Sequence, residues 1–182
     1  MRAGVTLLAA RLHGAGHRVL VVDPLRRTFG DLEAAQQAVA AFGGDVAVQQ
    51  HAVGATAALP PGAVLVGWGR GAATAEHLAC TRPVAGVVLV GGALPTADLG
   101  LLDWPRGVPV QVHEGGDDPR REPGAAEGLA ADVRAAGAAV EVVVHPGAGH
   151  LFDDPDAGAG YLEAAAGALR DAVVRFCAQH AR

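Results

Sequence analysis

Short apolar runs that alternate with segments of helical periodicity constrain the fold of this chain most strongly. Runs such as "RVLVVD" and "AVLVG" are continuously apolar, rather than alternating between apolar and polar residues. Continuous runs of this kind are typical of strands that are covered on both faces. Because helices separate these strands, the pattern predicts an α/β fold with a mostly parallel sheet and helices on both faces.

The predicted elements follow from periodicity and from the glycines and prolines that interrupt it. The predicted strands are Arg18–Asp23, Ala63–Val66, Val84–Val90, Val108–His113 and Val140–Val144. The predicted helices are Val5–His13, Leu32–Phe42 with Asp31 as its N-cap, Ala72–Cys80, Glu122–Ala136 and Tyr161–His180. Asp45–Leu59 is ambiguous and favours a helix, and Thr96–Gly107 is predicted to be a loop. With no linker or repeat, residues 1–182 are expected to form a single domain.

Composition excludes several classes of protein. Apolar residues make up 51% of the chain, which is typical of a globular protein. The net charge is -5 and the sequence has no long run of charged residues, so no nucleic-acid surface is expected. No apolar run reaches the ~18 residues of a membrane span, and no signal-peptide pattern is present, so the expected location is the cytoplasm. Cys80 and Cys177 do not have the spacing of a disulfide framework or a zinc site. The chain contains no serine.

Polar residues gather in three loops that follow predicted strands. These loops are Gly67–Gly71, His113–Pro119 ("HEGGDDP") and His145–Phe152 ("HPGAGHLF"). In open parallel sheets, ligands bind outside the carboxyl ends of the strands, where such loops meet. The three loops are therefore the predicted functional site.

The stretch "GWGRG" joins a strand to a helix and has the spacing of a nucleophile elbow, G-x-S-x-G. Its central residue is Gly69, which carries no nucleophile. The alternative interpretation is a dinucleotide-binding turn, but the next strand ends in "VVLVGG" without the acidic residue that would bind the ribose. The elbow is the favoured interpretation.

The order of elbow, acid and histidine is that of α/β-hydrolase triads, and the sequence here resembles the dienelactone hydrolase family. It is most similar to the short actinobacterial members. The similarity rests on "GHRVLVVDPLRRTFGDLE", "VGWGRG", "LACTRP", "GALP", "WPRGVPVQVHEGGDDP" and "HPGAGHLFDD". The resemblance implies an α/β-hydrolase fold, cleavage of small esters or lactones, and no cofactor.

The resemblance also assigns roles to individual residues. The acid falls on Asp118, with Asp117 as the second choice, the base on His150, and the nucleophile position on Gly69. The backbone N–H of Arg70 would be one oxyanion donor. Trp68 is expected to pack beside the elbow, with a place in the pocket wall as the alternative.

The chain departs from the family pattern in two respects. Gly69 replaces the nucleophile, and the chain begins after the family's first strand and oxyanion loop, so an N-terminal truncation is expected. The missing strand would lie between "RVLVVD" and "AVLVG", and a disturbed ladder is therefore predicted there. We expect the natural protein to have further residues upstream of Met1.

Three functions are compatible with these residues. The favoured one is a degenerate family member without covalent hydrolysis. The second is a hydrolase or lyase in which His150 and Asp118 activate water directly, and the third is a non-catalytic binder of small molecules. The spacing of His113, His145 and His150 matches no standard metal site, and Cys80 is too far along its helix to replace the nucleophile.

Overall fold

The computed structural model describes residues 1–29, 32–57 and 59–181. The chain divides into two compact units, Met1–Leu59 and Pro60–Arg182. The expectation of a single domain therefore stays a prediction. None of the helices in the described part of the chain is long and apolar enough to cross a lipid bilayer.

The first unit contains three helices, α1 (Ala3–Gly14), α2 (Leu32–Phe42) and α3 (Gly44–Thr56). The first two were predicted from periodicity, and the third occupies the ambiguous segment that favoured a helix. The ends of all three differ from the expected ones by at most three residues. Helices α2 and α3 contact each other. The predicted N-cap of α2, Asp31, lies outside the described residues.

The prediction of a strand over Arg18–Asp23 is wrong. The segment has no regular secondary structure, and the side chains of Val19 and Leu20 are 39% and 53% exposed. Apolar β-branched residues favour a strand only where a neighbouring strand satisfies their backbone N–H and C=O groups. Among the described residues, no segment forms a ladder with Arg18–Asp23.

The second unit is built on a sheet of four parallel strands. In chain order its elements are β1 (Val64–Trp68), α4 (Arg70–Thr81), β2 (Gly86–Val90), β3 (Val110–Gly115), α5 (Ala125–Ala135), β4 (Val140–His145) and α6 (Glu163–His180). The strand order β1-β2-β3-β4 follows the sequence, and every neighbouring pair is parallel. These elements agree with the sequence-based predictions to within three residues at each end.

Two short 3₁₀ helices complete this unit, Thr96–Leu99 and Pro155–Gly160. The first lies in the segment that was predicted to be only a loop. Its start is held by Asp132 of α5, whose Oδ2 accepts hydrogen bonds from the N–H and the Oγ1–H of Thr96 at 2.8 and 2.9 Å. The loop prediction missed this turn because the partner lies 36 residues further along the chain.

Helices α4 and α6 lie on opposite faces of the sheet. A Cβ on Gly67 would collide with the backbone of Gly71 and lie 2.7 Å from the Cα of Ala72, which places α4 on the face of Gly67. A Cβ on Gly86 would lie 2.7 Å from Cε1 of Phe176, which places α6 on the face of Gly86. The register pairs Gly67 with Leu89, so these two residues face the same side of the sheet. Gly86 lies three residues before Leu89 and therefore faces the opposite side, because successive residues of a strand alternate between the faces.

The two central strands, β2 and β3, are fully buried, as expected for a parallel sheet that is covered on both faces. Val87, Val88 and Leu89 of β2 have no exposed surface, and Val112 of β3 is equally buried. The prediction of an α/β-hydrolase-like, mostly parallel sheet is thus confirmed for this unit.

The close approach of β1 to α4 yields a stability prediction. Replacing Gly67 with Ala forces a methyl group into the backbone of α4, so Gly67→Ala should lower the free energy of unfolding by about 1–3 kcal/mol. Gly71→Ala is the matched control, because a Cβ at this position meets no atom within 4 Å. The substitution also replaces a glycine inside a helix, where alanine is the more favourable residue. Equal unfolding midpoints for the two variants in urea would contradict the close approach.

Candidate active site

The turn from β1 to α4 has the backbone geometry of a strained elbow. Gly69 has φ 49° and ψ -114°, and its N–H donates to the carbonyl of Val90 at 2.9 Å. A Cβ on Gly69 would meet no atom within 4 Å. A larger side chain would therefore fit at this position, and its cost would come from the backbone conformation, about 1–3 kcal/mol.

The loop after β3 presents Asp118 to His150, which follows β4. Oδ2 of Asp118 lies 2.9 Å from Nδ1 of His150, and the aspartate side chain is 4% exposed while the histidine is 26% exposed. The neighbouring Asp117 uses its backbone N–H to donate to the carbonyl of Ala148. The structure thus pairs His150 with Asp118, the first of the two acids that the sequence suggested.

A positive φ marks the residue after the histidine. Leu151 has φ 59°, a conformation that residues with a branched side chain rarely adopt. Such strain persists only where the surrounding structure enforces it, and it is frequent near functional groups.

Arg120 contacts the other ring nitrogen of His150, which sequence reasoning did not foresee. Its Nη1 lies 3.0 Å from Nε2 of His150. Since Nδ1 faces a carboxylate and must carry the proton, Nε2 accepts a hydrogen bond from the guanidinium. The one signal in the sequence was the pair Arg120-Arg121, which closely follows the acid.

A cavity of about 260 Å³ lies at the elbow. Its wall includes Gly69, Arg70, Asp118 and Arg120, together with the loop 91–94 that follows β2. Arg70 is among the lining residues, and its role as an oxyanion donor stays a prediction. The central residue of the elbow, the acid Asp118 and the unforeseen Arg120 all line the same cavity.

A second arginine of the cavity is held by an acid at the end of β3. Nε of Arg121 donates to Oε2 of the buried Glu114 at 2.6 Å, and its Nη2 lies 3.6 Å from Glu127. The hydrogen bond and the charge of Glu114 raise the pKa of Arg121 further. Arg121 is thus committed to a carboxylate of the protein.

The residues that line this cavity do not include Trp68. Successive residues of a strand face opposite sides of the sheet, so Trp68 points away from the α4 side that Gly67 faces. Its Nε1–H donates to Oδ2 of Asp153 at 2.8 Å. Burial raises the pKa of Asp153, while this hydrogen bond opposes the change. Trp68 therefore anchors the loop that carries His150.

Two buried histidines lie on the same face as Trp68, at the ends of β3 and β4. Nδ1 of His113 lies 3.1 Å from Nε2 of His145, and the two rings stack with centroids 5.4 Å apart. Burial, and to a lesser extent the neighbouring His145, lowers the pKa of His113 to about 3. His145 in turn packs against Phe152, so this neutral pair supports the loop after β4.

Helix α4 contributes a buried acid, Glu76, to the support of the cavity wall. Its Oε1 accepts a hydrogen bond from the N–H of Leu94 at 3.2 Å, and its side chain is almost entirely buried. Burial raises the pKa of Glu76 to about 8, against which the Leu94 hydrogen bond acts only weakly. The group is therefore largely protonated at neutral pH.

Comparisons with known proteins identify a matching family and solved structures with a similar fold. The model of the "Dienelactone hydrolase family" matches residues 3–181. Among solved structures, a dienelactone hydrolase-like promiscuous phosphotriesterase from metagenomic libraries is 23% identical, with a TM-score of 0.74 over 99% of this chain and 82% of that one. The structure named m3DLH is also 23% identical, with a TM-score of 0.75 over the same shares. A search of curated proteins found no match.

The raised pKa of Glu76 predicts that stability falls as the pH rises from about 4.5 to about 8. The unfolded chain releases this proton near pH 4.5 and the folded chain only near pH 8, so stability falls as the pH rises through this window. The slope from this group is at most about 1.4 kcal/mol per pH unit. Glu76→Gln should therefore gain stability relative to the original chain between pH 5 and pH 8, as measured by urea unfolding.

The exposed Glu163 provides the control for this measurement. Glu163→Gln should shift the free energy of unfolding by nearly the same amount at both pH values. A Glu76→Gln effect that does not change with pH would contradict the assignment of the buried proton.

Proposed function

Because this chain belongs to the dienelactone hydrolase family, we propose that it is a degenerate member that does not carry out covalent ester hydrolysis. The observation that carries this proposal is Gly69 at the centre of the elbow. Formation of an acyl-enzyme requires an oxygen or sulfur atom on that residue, and glycine has neither.

The two cysteines are not suited to replace the missing nucleophile, and the chain has no serine. Cys80 lies at the far end of α4 and Cys177 lies in α6, and burial raises the pKa of each thiol to about 11. Since the thiolate is the reactive form, both cysteines remain unreactive at neutral pH.

The contact between Arg120 and His150 also supports the loss of hydrolysis. A general base accepts a proton through an available lone pair, here that of Nε2. In this structure Nε2 lies within hydrogen-bond distance of Nη1 of Arg120. Direct activation of water by His150 and Asp118 would require the guanidinium to leave first.

A second candidate function, non-catalytic binding of a small molecule, is favoured by the cavity at the elbow. Its volume of about 260 Å³ suits a small ester or lactone, and its wall combines apolar residues with arginines. Such a ligand would resemble a family substrate that is held without being cleaved.

Turnover of p-nitrophenyl acetate and of a simple aryl lactone tests the proposal directly. The protein should hydrolyse neither faster than its His150→Ala variant does, since no covalent intermediate can form. Turnover that the His150→Ala change abolishes would overturn the proposal and would establish activation of water by the His150–Asp118 pair.

Restoring a nucleophile should not restore the activity. Gly69→Ser returns a hydroxyl, but Arg120 still engages the base, so we expect no efficient esterase. The variant should also lose about 1–3 kcal/mol of stability, because a Cβ enters the positive-φ conformation of Gly69. Gly71→Ser, which adds the same side chain in the first turn of α4 without a positive φ, is the control for both measurements. Efficient esterase activity of Gly69→Ser would contradict the role assigned to Arg120.

A further inference from the structure

We propose that two copies of this chain associate through residues 17–23, which pair as antiparallel β-strands about a twofold axis at Leu20. The sequence of this segment is that of a strand, yet no ladder forms there among the described residues. A second copy supplies the partner that the segment lacks. The inference is independent of the proposed function, because every residue that carries it lies in the unit Met1–Leu59.

The backbone of residues 18–22 offers hydrogen-bonding groups to a partner. Within the part of the chain that the structure describes, no residue exchanges a backbone hydrogen bond with this stretch. A row of unpaired N–H and C=O groups is a template for pairing with another strand. Three of the five residues are valines, which favour a paired strand.

Both ends of the stretch are held in place. The N–H of His17 donates to the carbonyl of Leu12 at 3.1 Å, which ties the start to the end of α1. At the other end, the N–H of Arg26 donates to the carbonyl and to Oδ1 of Asp23, at 3.2 and 3.1 Å. Because the ends are fixed already, less conformational entropy is lost when a partner orders the middle.

The side chains of the stretch are apolar and accessible to a partner. Val19 and Leu20 are exposed. A cavity of about 480 Å³ adjoins them, and its wall includes Leu20, Val21, Val22 and His51. A second strand brings the same apolar side chains to this surface, so both copies remove apolar area from water.

Twofold symmetry restricts the register of the pair. The axis relating two identical antiparallel strands stands perpendicular to the sheet and passes between one residue and its own copy. With Leu20 at the axis, Val19 lies opposite Val21 of the second copy, and His17 lies opposite Asp23 of the second copy. An axis at Val21 would instead place the carboxylate of Asp23 opposite Val19. Leu20 is therefore the favoured position.

The polar residues of this register are complementary. An imidazole N–H of His17 meets the carboxylate of Asp23 at each end of the ladder. This carboxylate also contacts the amino group of Met1 at 3.0 Å, and it has lone pairs left for His17. Arg18 lies opposite Val22, against which its methylene groups pack while the guanidinium stays in water. The two copies of Arg18 are four residues apart along the ladder, about 14 Å, so their repulsion is small.

The expected dimer is weak. A two-stranded ribbon is only marginally stable by itself. A standard interface contains about 20–30 residues on each side, and the segment 17–23 is much shorter. We therefore expect a monomer–dimer equilibrium with a Kd above about 1 µM.

Sedimentation velocity and amide exchange test the association together. Between about 10 µM and about 1 mM, the sedimentation coefficient should rise toward that of a dimer, as mass action requires. Over the same range, the exchange of alternate amides in residues 18–22 should slow, because they become hydrogen-bonded. A chain that stays monomeric would overturn the inference, whether or not the segment then binds an unrelated extended peptide. A dimer in which these amides exchange as fast as in the monomer would overturn it as well.

A charge at the axis should separate the two copies. Leu20→Lys places two like charges directly opposite each other and removes two leucines from the contact, so the Kd should rise at least about tenfold. Leu102→Lys is the matched control, because Leu102 is 95% exposed and lies in the other unit. Circular dichroism and melting temperatures establish that both variants are folded. Equal Kd values for the two variants would contradict the interface.

Disulfide cross-linking tests the register. Leu20→Cys should form a covalent dimer under mild oxidation, because residues directly opposite each other have Cα atoms about 4.5–5.5 Å apart, within the reach of a disulfide. Val19→Cys is the control, since the copies of residue 19 are diagonal neighbours about 8 Å apart. The original chain gives the background from Cys80 and Cys177. Cross-linking that is no faster in Leu20→Cys than in Val19→Cys would overturn the pairing about Leu20.

Discussion

The parallel register of the four strands is the constraint on which the candidate site depends. Because β1, β3 and β4 all run in the same direction, their carboxyl ends lie at the same edge of the sheet. Gly69, Asp118 and His150 lie in the separate loops that follow these three strands. Asp118 and His150 meet although 32 residues separate them in the sequence. An antiparallel strand among them would place its loop at the opposite edge.

The two glycines of the elbow are required for different reasons. At Gly67 the backbone of α4 approaches so closely that no Cβ fits, so glycine is a packing requirement there. At Gly69 the space is open, and only the backbone conformation favours glycine. The turn therefore retains the geometry of an elbow while its centre carries no reactive atom.

Polar groups that are buried beneath the loops hold the cavity in place. Trp68 binds Asp153, His145 packs against Phe152, and Glu76 accepts from Leu94, so the loops that follow β2 and β4 are each tied to the sheet or to α4. Burial displaces the pKa of Glu76, His113 and Asp153 toward the neutral form of each group. In their neutral forms, Glu76 and His113 avoid the desolvation penalty of a buried charge, so they can serve as structural anchors here.

The sequence by itself determined the parallel sheet, most element bounds, the elbow with its glycine, and the acid and histidine that the structure pairs. These features depend on local patterns, namely apolar runs, turn glycines and the residues that directly follow strands. Only the tertiary structure decided that Arg18–Asp23 forms no strand, because a strand requires a partner that its own residues do not specify. The face of Trp68 and the contact of Arg120 with His150 were likewise decided by packing. A side chain's partner lies in another loop, 30 residues away for Arg120 and 85 for Trp68, and the pattern around the residue carries no information about that distance.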